Sequence, residues 1–302
     1  MKSIKEEIEQ LKKEKNAVIL AHYYVPDEVQ EIADYIGDSF YLSKVAVGLK
    51  EQMIIFCGVS FMGESAKILN PSKTVLMPDG DADCPMAHMA SVEKVQKMRT
   101  IYQDLAVVCY INSTAELKTV SDACVTSSNA VKIVKALPNR NIFFIPDGNL
   151  AAYVAEQVPE KNIIPNDGYC PVHREITPQL LEQAKKKYPQ AEVLVHPECV
   201  QKVLQQADFI GSTSEIISHA EQSFQKEFII GTEEGVLYEL KKKCPDKIFH
   251  CVMEGQCCSD MKKVTLEKVR DSLKNGTYEI QLPEVVSQKA LKALDTMLEL
   301  AK

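Results

Sequence analysis

Three kinds of residue cluster recur along this 302-residue chain at one interval, and a triplicated chain has few ways to fold. "VILAHYY", "VVCYINST" and "VLVHPEC" are apolar runs ending in polar side chains, and their anchors His22, Tyr110 and His196 stand 88 and 86 residues apart. Hydroxyl-bearing turns follow: "GDS" at 37–39, "VTSS" at 125–128 and "GSTS" at 211–214 place Ser39, Ser127 and Ser212 at steps of 88 and 85. Loop cysteines keep the same step, with Cys84, Cys170 and Cys258 separated by 86 and 88. The period is too long for a helical or leucine-rich solenoid. Three compact units around a pseudo-threefold axis is the simpler arrangement.

Within each unit, short β-branched runs alternate with helix-patterned stretches. This predicts an α/β fold: three pseudo-threefold-related α/β/α sandwich units with parallel sheets buried on both faces. Strands are expected at 17–22, 53–59, 74–77, 106–111, 122–125, 142–145, 162–164, 192–196, 208–210, 227–230 and 248–252. Helices are expected at stretches that include 28–36, 41–50, 63–69, 92–99, 128–137, 149–157 and 178–187. The units are set at 1–100, 101–190 and 191–283, with an amphipathic C-terminal helix in 284–302 docking back onto the first. Ligands of open parallel sheets bind beyond the carboxyl ends of the strands. All three marker sets fall there, so the units are expected to share one central active site.

The formal net charge is −7 and the basic residues are scattered over helical stretches, which argues against a nucleic-acid partner. The longest apolar runs, such as "AVILA" at 17–21, are far short of a membrane span. The charged N-terminal stretch lacks the apolar core of a signal peptide, so a cytoplasmic protein with no membrane partner is expected.

Ten cysteines in a reducing compartment point to metal binding, redox chemistry or burial rather than to a disulfide framework. Cys57, Cys109, Cys124 and Cys251 lie inside apolar runs and read as small buried hydrophobes. Cys84, Cys170 and the pair Cys257–Cys258 sit in polar loops after such runs. Three thiolates around an axis suit either a catalytic zinc with water or a [4Fe–4S] cluster with one open iron. All-sulfur ligation, with no histidine in the repeated set, favours the cluster. Cys-Pro itself is a weak sign, because Cys244 precedes a proline and lies off the repeat. His22, Tyr24, Tyr110, Asn112, His196 and Glu198 at strand ends are candidate acids, bases and hydrogen-bond donors. Ser39, Ser127, Ser212 and Thr213 precede helices, where they can cap or bind an anion. His88, His219 and His250 have no register support and read as structural or surface residues.

The chain resembles the quinolinate synthases, iron–sulfur enzymes of bacterial NAD biosynthesis, over essentially its whole length. The resemblance runs through "ILAHYYVPDEVQEIADYIGDS" (19–39), "CGVSFMGESAKILNP" (57–71), "DADCPMA" (81–87), "CYINSTAELK" (109–118) and "CVTSSNA" (124–130). It continues with "NDGYCPVH" (166–173), "VLVHPEC" (193–199), "FIGSTS" (209–214), "FIIGTEEG" (228–235) and "MKKVTLEK" (261–268). It implies condensation of iminoaspartate with dihydroxyacetone phosphate, giving quinolinate, phosphate and water. An aspartate oxidase or dehydrogenase would be the source of iminoaspartate and a candidate partner. The implied ligands of a [4Fe–4S] cluster are Cys84, Cys170 and Cys258, and the adjacent Cys257 departs from the family pattern. Tyr24, Glu198, His22 and Tyr110 take the implied catalytic places. Substrate contacts carry over to His22, Ser39, Tyr110, Asn112, Ser127, His196, Glu198, Ser212 and Thr213, with Met62 and His173 lining the cavity. Two other classes use some of these residues: a zinc-dependent hydrolase or aldolase, and a non-catalytic iron–sulfur sensor.

Overall fold

The structure is a computed structural model and describes residues 3–302. Its first sheet holds β1 (Ala17–His22), β2 (Tyr35–Gly37), β3 (Met53–Cys57) and β4 (Thr74–Leu76), in the spatial order β2-β1-β3-β4. The second sheet holds β5 (Leu105–Tyr110), β6 (Ala123–Val125), β7 (Asn141–Ile145) and β8 (Asn162–Pro165), ordered β6-β5-β7-β8. The third holds β9 (Glu192–Val195), β10 (Phe209–Ile210), β11 (Glu227–Gly231) and β12 (Ile248–Cys251), ordered β10-β9-β11-β12. All the pairings between these strands are parallel.

Each unit therefore winds the same way. The chain leaves the first strand in one direction and returns on its other side, so the winding reverses between first and third strands. That reversal opens a crevice at the carboxyl ends of the strands, the usual ligand position in such sheets. The residues explain the placement. "AVILAH" and "LAVVCY" are buried along their whole length, as strands covered on both faces must be. The fourth strands of the second and third sheets, at the edge, are only partly buried, and β8 ends in a proline that an edge tolerates.

One expectation fails at the first sheet edge. Residues 28–36 are not one helix: a short helix, Asp27–Glu31, gives way to β2 at Tyr35–Gly37. The cause is Asp34, whose carboxylate accepts the Ile19 N–H at 2.8 Å while its own N–H donates to the Ile19 carbonyl at 3.0 Å. The chain is pulled onto β1 before a second helical turn can form. Asp122 locks Val107 in the same way (2.7 and 2.9 Å), and Asp208 locks Val193 (2.8 and 2.9 Å). Asp34, Asp122 and Asp208 are 88 and 86 residues apart, so the lock is itself part of the repeat.

The ends of the chain tie the units together. The C-terminal helix, Glu284–Leu300, buries Ala290, Ala293, Leu294 and Met297, the i, i+3, i+4, i+7 stripe of an amphipathic helix. It packs on β6 and helices Ala115–Lys118 and Ala130–Ala136 of the second unit, and on helix Ser60–Leu69 of the first. Helix Leu266–Asn275 packs against the N-terminal helix Ile4–Lys15 and β3, and Ile280 N–H donates to the Val75 carbonyl. The largest apolar core spans the first two sheets and these C-terminal helices. The two faces of the third sheet carry their own clusters.

Candidate active site

The three crevices open on one cavity. His22 and Tyr24 reach it from the end of β1, Tyr110 and Asn112 from β5, and His196 and Glu198 from β9. Two of these ends share a local motif. His22 Nδ1 accepts the Tyr24 N–H at 3.2 Å, and His196 Nδ1 accepts the Glu198 N–H at 3.3 Å. A ring whose Nδ1 is an acceptor carries its proton on Nε2. Burial pushes both imidazoles down, to pKa values of about 3, although the Glu198 charge opposes this. Both are neutral at ordinary pH. The His196 Nε2 proton points at Ser127 Oγ, 3.1 Å away.

Glu198 is the hub. Its side chain is almost completely buried, and Oε1 accepts the Tyr110 hydroxyl at 2.5 Å. Oε2 lies 2.7 Å from His173 Nδ1, an ion-pair distance without hydrogen-bond alignment. Burial alone would raise the Glu198 pKa. His173 and His196, with the Tyr110 hydroxyl, outweigh it and hold the carboxyl well below the usual range. His173 Nε2 contacts Thr232 Oγ1 at 2.9 Å, and Thr232 Oγ1 contacts the Tyr24 hydroxyl at 2.8 Å. The Tyr24 hydroxyl also meets Thr213 Oγ1 at 2.7 Å. Polar contacts thus run Tyr24–Thr232–His173–Glu198–Tyr110, drawing on all three units. Burial pushes both tyrosine hydroxyls well above their ordinary value, helped by the Glu198 charge, so they are protonated and able to donate.

The remaining expected residues fall into place unevenly. Ser39 opens helix Ser39–Gly48 and lines the cavity, but its neighbour Asp38 is the cap, accepting the Tyr41 N–H at 2.8 Å. Ser127 lies in a turn ahead of helix Ala130–Ala136 and caps nothing. Ser212 does cap, in a reciprocal capping box with Glu215 on helix Thr213–Gln222, and is not part of the cavity wall. Thr213, one residue on, is. Met62 joins Val59 and Phe61 in an apolar wall. The buried Oδ1 of Asn112 has no partner within the protein.

Cys84, Cys170 and Cys258 all line this cavity, one from the loop after the fourth strand of each sheet. Cys257 does not. Cys57, Cys109 and Cys124 are buried as expected, Cys251 only partly, and all ten cysteines are free. Burial raises the pKa of each cavity thiol, and among the described residues no lysine or arginine lines the wall to counter three thiolates. A donor set of this kind suits a bound cation that supplies the missing positive charge. No histidine shares the register of the thiols, but His173, expected in the cavity wall, stands beside one of them. Ligand atoms of Cys170, His173 and Glu198 lie within 4.8 Å of one another, because "CPVH" turns His173 inward one helical turn after Cys170.

The family model for quinolinate synthetase A protein matches residues 6–299. The chain belongs to that family. A quinolinate synthase of Caldicellulosiruptor bescii is 54% identical over 297 residues, covering 98% of each chain. One of Fusobacterium nucleatum subsp. nucleatum is 53% identical over 298 residues, covering 99% of each. One of Clostridioides difficile is 51% identical over 301 residues, covering 100% of this chain and 99% of its own. No helix among the described residues is long and apolar enough to cross a membrane.

Several residues of the cavity region escaped the reading of the sequence. Asp38 and Thr126 neighbour residues that were singled out, and Phe61 adjoins Met62. Thr232 and Glu233 follow β11 in "GTEEG", a polar stretch after an apolar run like the ones that exposed His22 and His196. The repeat markers lie at the ends of first strands, in the turns after second strands and in the cysteine loops after fourth strands, so the ends of third strands carry no marker.

Proposed function

We propose that this chain makes quinolinate: it joins iminoaspartate to dihydroxyacetone phosphate and releases phosphate and two waters. Membership of the family supports the reaction, and nothing in the comparisons favours the zinc hydrolase, aldolase or sensor readings. The observation that carries the site assignment is the run of polar contacts from Tyr24 through Thr232, His173 and Glu198 to Tyr110, beside three inward-facing thiols.

Cys84, Cys170 and Cys258 would hold a [4Fe–4S] cluster. When bound with three protein ligands, such a cluster supplies an open iron, a Lewis acid toward substrate oxygens. The protein's own groups do the rest. Glu198 is a carboxylate fed by the Tyr110 hydroxyl, suited to take a proton from a carbon beside a carbonyl or imine. Tyr24 and Tyr110 are protonated donors placed to return protons to departing oxygens. His22, with its Nε2–H free of the Tyr24 amide, and Asn112 would bind a carboxylate, and His196 would do so through Ser127. Ser39, Ser127 and Thr213 would receive the second carboxylate or the phosphate, with Met62 and Phe61 excluding water that hydrolyses an imine. Ser212 would act through the helix it caps.

Iminoaspartate coming from an aspartate oxidase or dehydrogenase, and a cytoplasmic setting that suits ten free thiols, complete the reading. The division into units 1–100, 101–190 and 191–283 belongs to it too, with three like sheets in its support. The test is quinolinate formation by protein purified without oxygen, comparing the natural chain with Glu198→Gln. The natural chain should form product and the variant should lose about 10²–10⁴-fold in turnover. No product from iron-loaded natural protein contradicts the proposal.

A further inference from the structure

The third strands carry a marker set of their own. β7 and β11 run into Asp147 and Glu233, which are 86 residues apart and fully buried. Each lies against the backbone of a cavity cysteine. Glu233 Oε1 accepts the Cys258 N–H at 3.0 Å, and Oε2 accepts the Gly235 N–H at 2.6 Å. Lys262 Nζ stands 2.9 Å from the same Oε1 and donates to the Tyr24 carbonyl at 2.8 Å. Asp147 bridges through its backbone to Gly168, two residues before Cys170. Asp147 Oδ2 is buried without a partner, and burial together with the Glu198 charge pushes this carboxyl well above its ordinary pKa.

The first unit differs: at the 88-residue step that relates β3 to β7, the place of Asp147 is taken by Val59, and the next residue is Ser60. Its hydroxyl donates to Asp83 Oδ1, and that oxygen accepts the Cys84 N–H at 2.8 Å. The Cys84 and Cys258 amides thus each donate to a carboxylate, and the loop of Cys170 lies against a third acid; Asp147 and Glu233 keep the register of the repeat, whereas Asp83 stands off it.

We infer that Asp83, Asp147 and Glu233 are positioning residues: they hold the three cysteine loops by the backbone so that the thiols converge, and Asp83 and Glu233 set negative charge behind whatever those thiols bind. The inference rests on the cluster reading above. Partners behind metal ligands orient them and tune the metal, and losing one typically costs about 10–100-fold in affinity. Asp147 also caps helix Gly148–Gln157 through the Asn149 and Leu150 amides, so its replacement mixes two effects. Glu233 caps no helix and is the cleaner site.

The test uses natural protein, Glu233→Gln and Glu233→Ala, all purified without oxygen. Iron per chain, the rate of bleaching by an iron chelator and the midpoint potential are read. Glu233→Ala should bleach about 10–100-fold faster. Glu233→Gln keeps an acceptor for the Cys258 amide, so it should bleach at the natural rate. Its midpoint potential should move upward, because a buried negative charge is gone while Lys262 stays. An unchanged potential in Glu233→Gln overturns the inference, whether or not the alanine variant folds. A folded Glu233→Ala that bleaches at the natural rate also overturns it. Natural protein without iron is a different failure: it strikes the cluster reading itself.

Discussion

Glu198 sits where a lone carboxylate would be least comfortable, and the residues around it are there to keep it charged. Removing one of them should be felt twice. Tyr110→Phe takes the hydroxyl from Oε1, so turnover should fall about 10²–10⁴-fold. Stability should fall by about 1–3 kcal/mol, because a buried acceptor loses its donor. Product assays and urea midpoints read the two losses separately, and turnover near the natural value would remove Tyr110 from proton transfer. The two neutral histidines set an acid limb. Their folded pKa values, about 3, lie below the free value of 6.5, so the unfolded chain binds protons that the folded chain refuses. Their stabilisation is complete above about 6.5 and declines as pH falls toward about 3. Glu198, held below its free value of 4.5, loses its own contribution in turn as pH falls through its folded pKa. Urea midpoints at stepped pH should drop below 6.5 and drop less steeply in His196→Gln. An equal slope would contradict the buried-neutral assignment. These residues were legible in the sequence because each is a polar side chain where an apolar run stops. Ser212 looked equivalent, but a serine before a helix reads the same whether it caps or faces a ligand.

At the scale of elements, the aspartate locks decide where second strands begin. Asp208→Ala should cost about 1–2 kcal/mol by leaving the Val193 amide without its acceptor, and Asp208→Asn should restore most of that through its amide oxygen. Thermal melts of the pair would show it; an asparagine variant as unstable as the alanine variant would mean that charge, not the hydrogen bond, matters. This device explains what the sequence concealed. "EVQEIADYIG" has helical spacing, and nothing local reveals that Asp34 will bond to a strand fifteen residues earlier. The long apolar strands were legible because a parallel strand covered on both faces has no polar alternation to confuse it with a surface helix. The C-terminal helix was legible from its stripe, but not its docking on two units. Leu294→Ala on that stripe should destabilise by about 2–5 kcal/mol. A melt within about 1 °C of natural protein would argue that the helix is not part of the core.

At the scale of the molecule, the repeat makes the site. One sheet supplies a crevice with two polar residues and one thiol, too little for either a metal centre or acid–base chemistry. Three copies facing one axis supply three thiols and a mixed set of imidazoles, hydroxyls and a carboxylate. The copies have diverged where the chemistry needs difference: His22 and His196 keep the ring whose Nδ1 binds an amide two residues on, and Tyr110 takes its place in the second unit. They have stayed alike where geometry needs sameness, at Asp34, Asp122 and Asp208 and at the cysteines. The central claim is that each unit contributes one thiol to one cluster. Iron and sulfide per chain, measured on anaerobic protein for the natural sequence and for Cys84→Ser, Cys170→Ser, Cys258→Ser and Cys257→Ser, test it most directly. The account predicts about four irons in the natural protein and in Cys257→Ser, and marked loss in the other three. A colourless zinc protein, or retention of the cluster in any of those three, would contradict it.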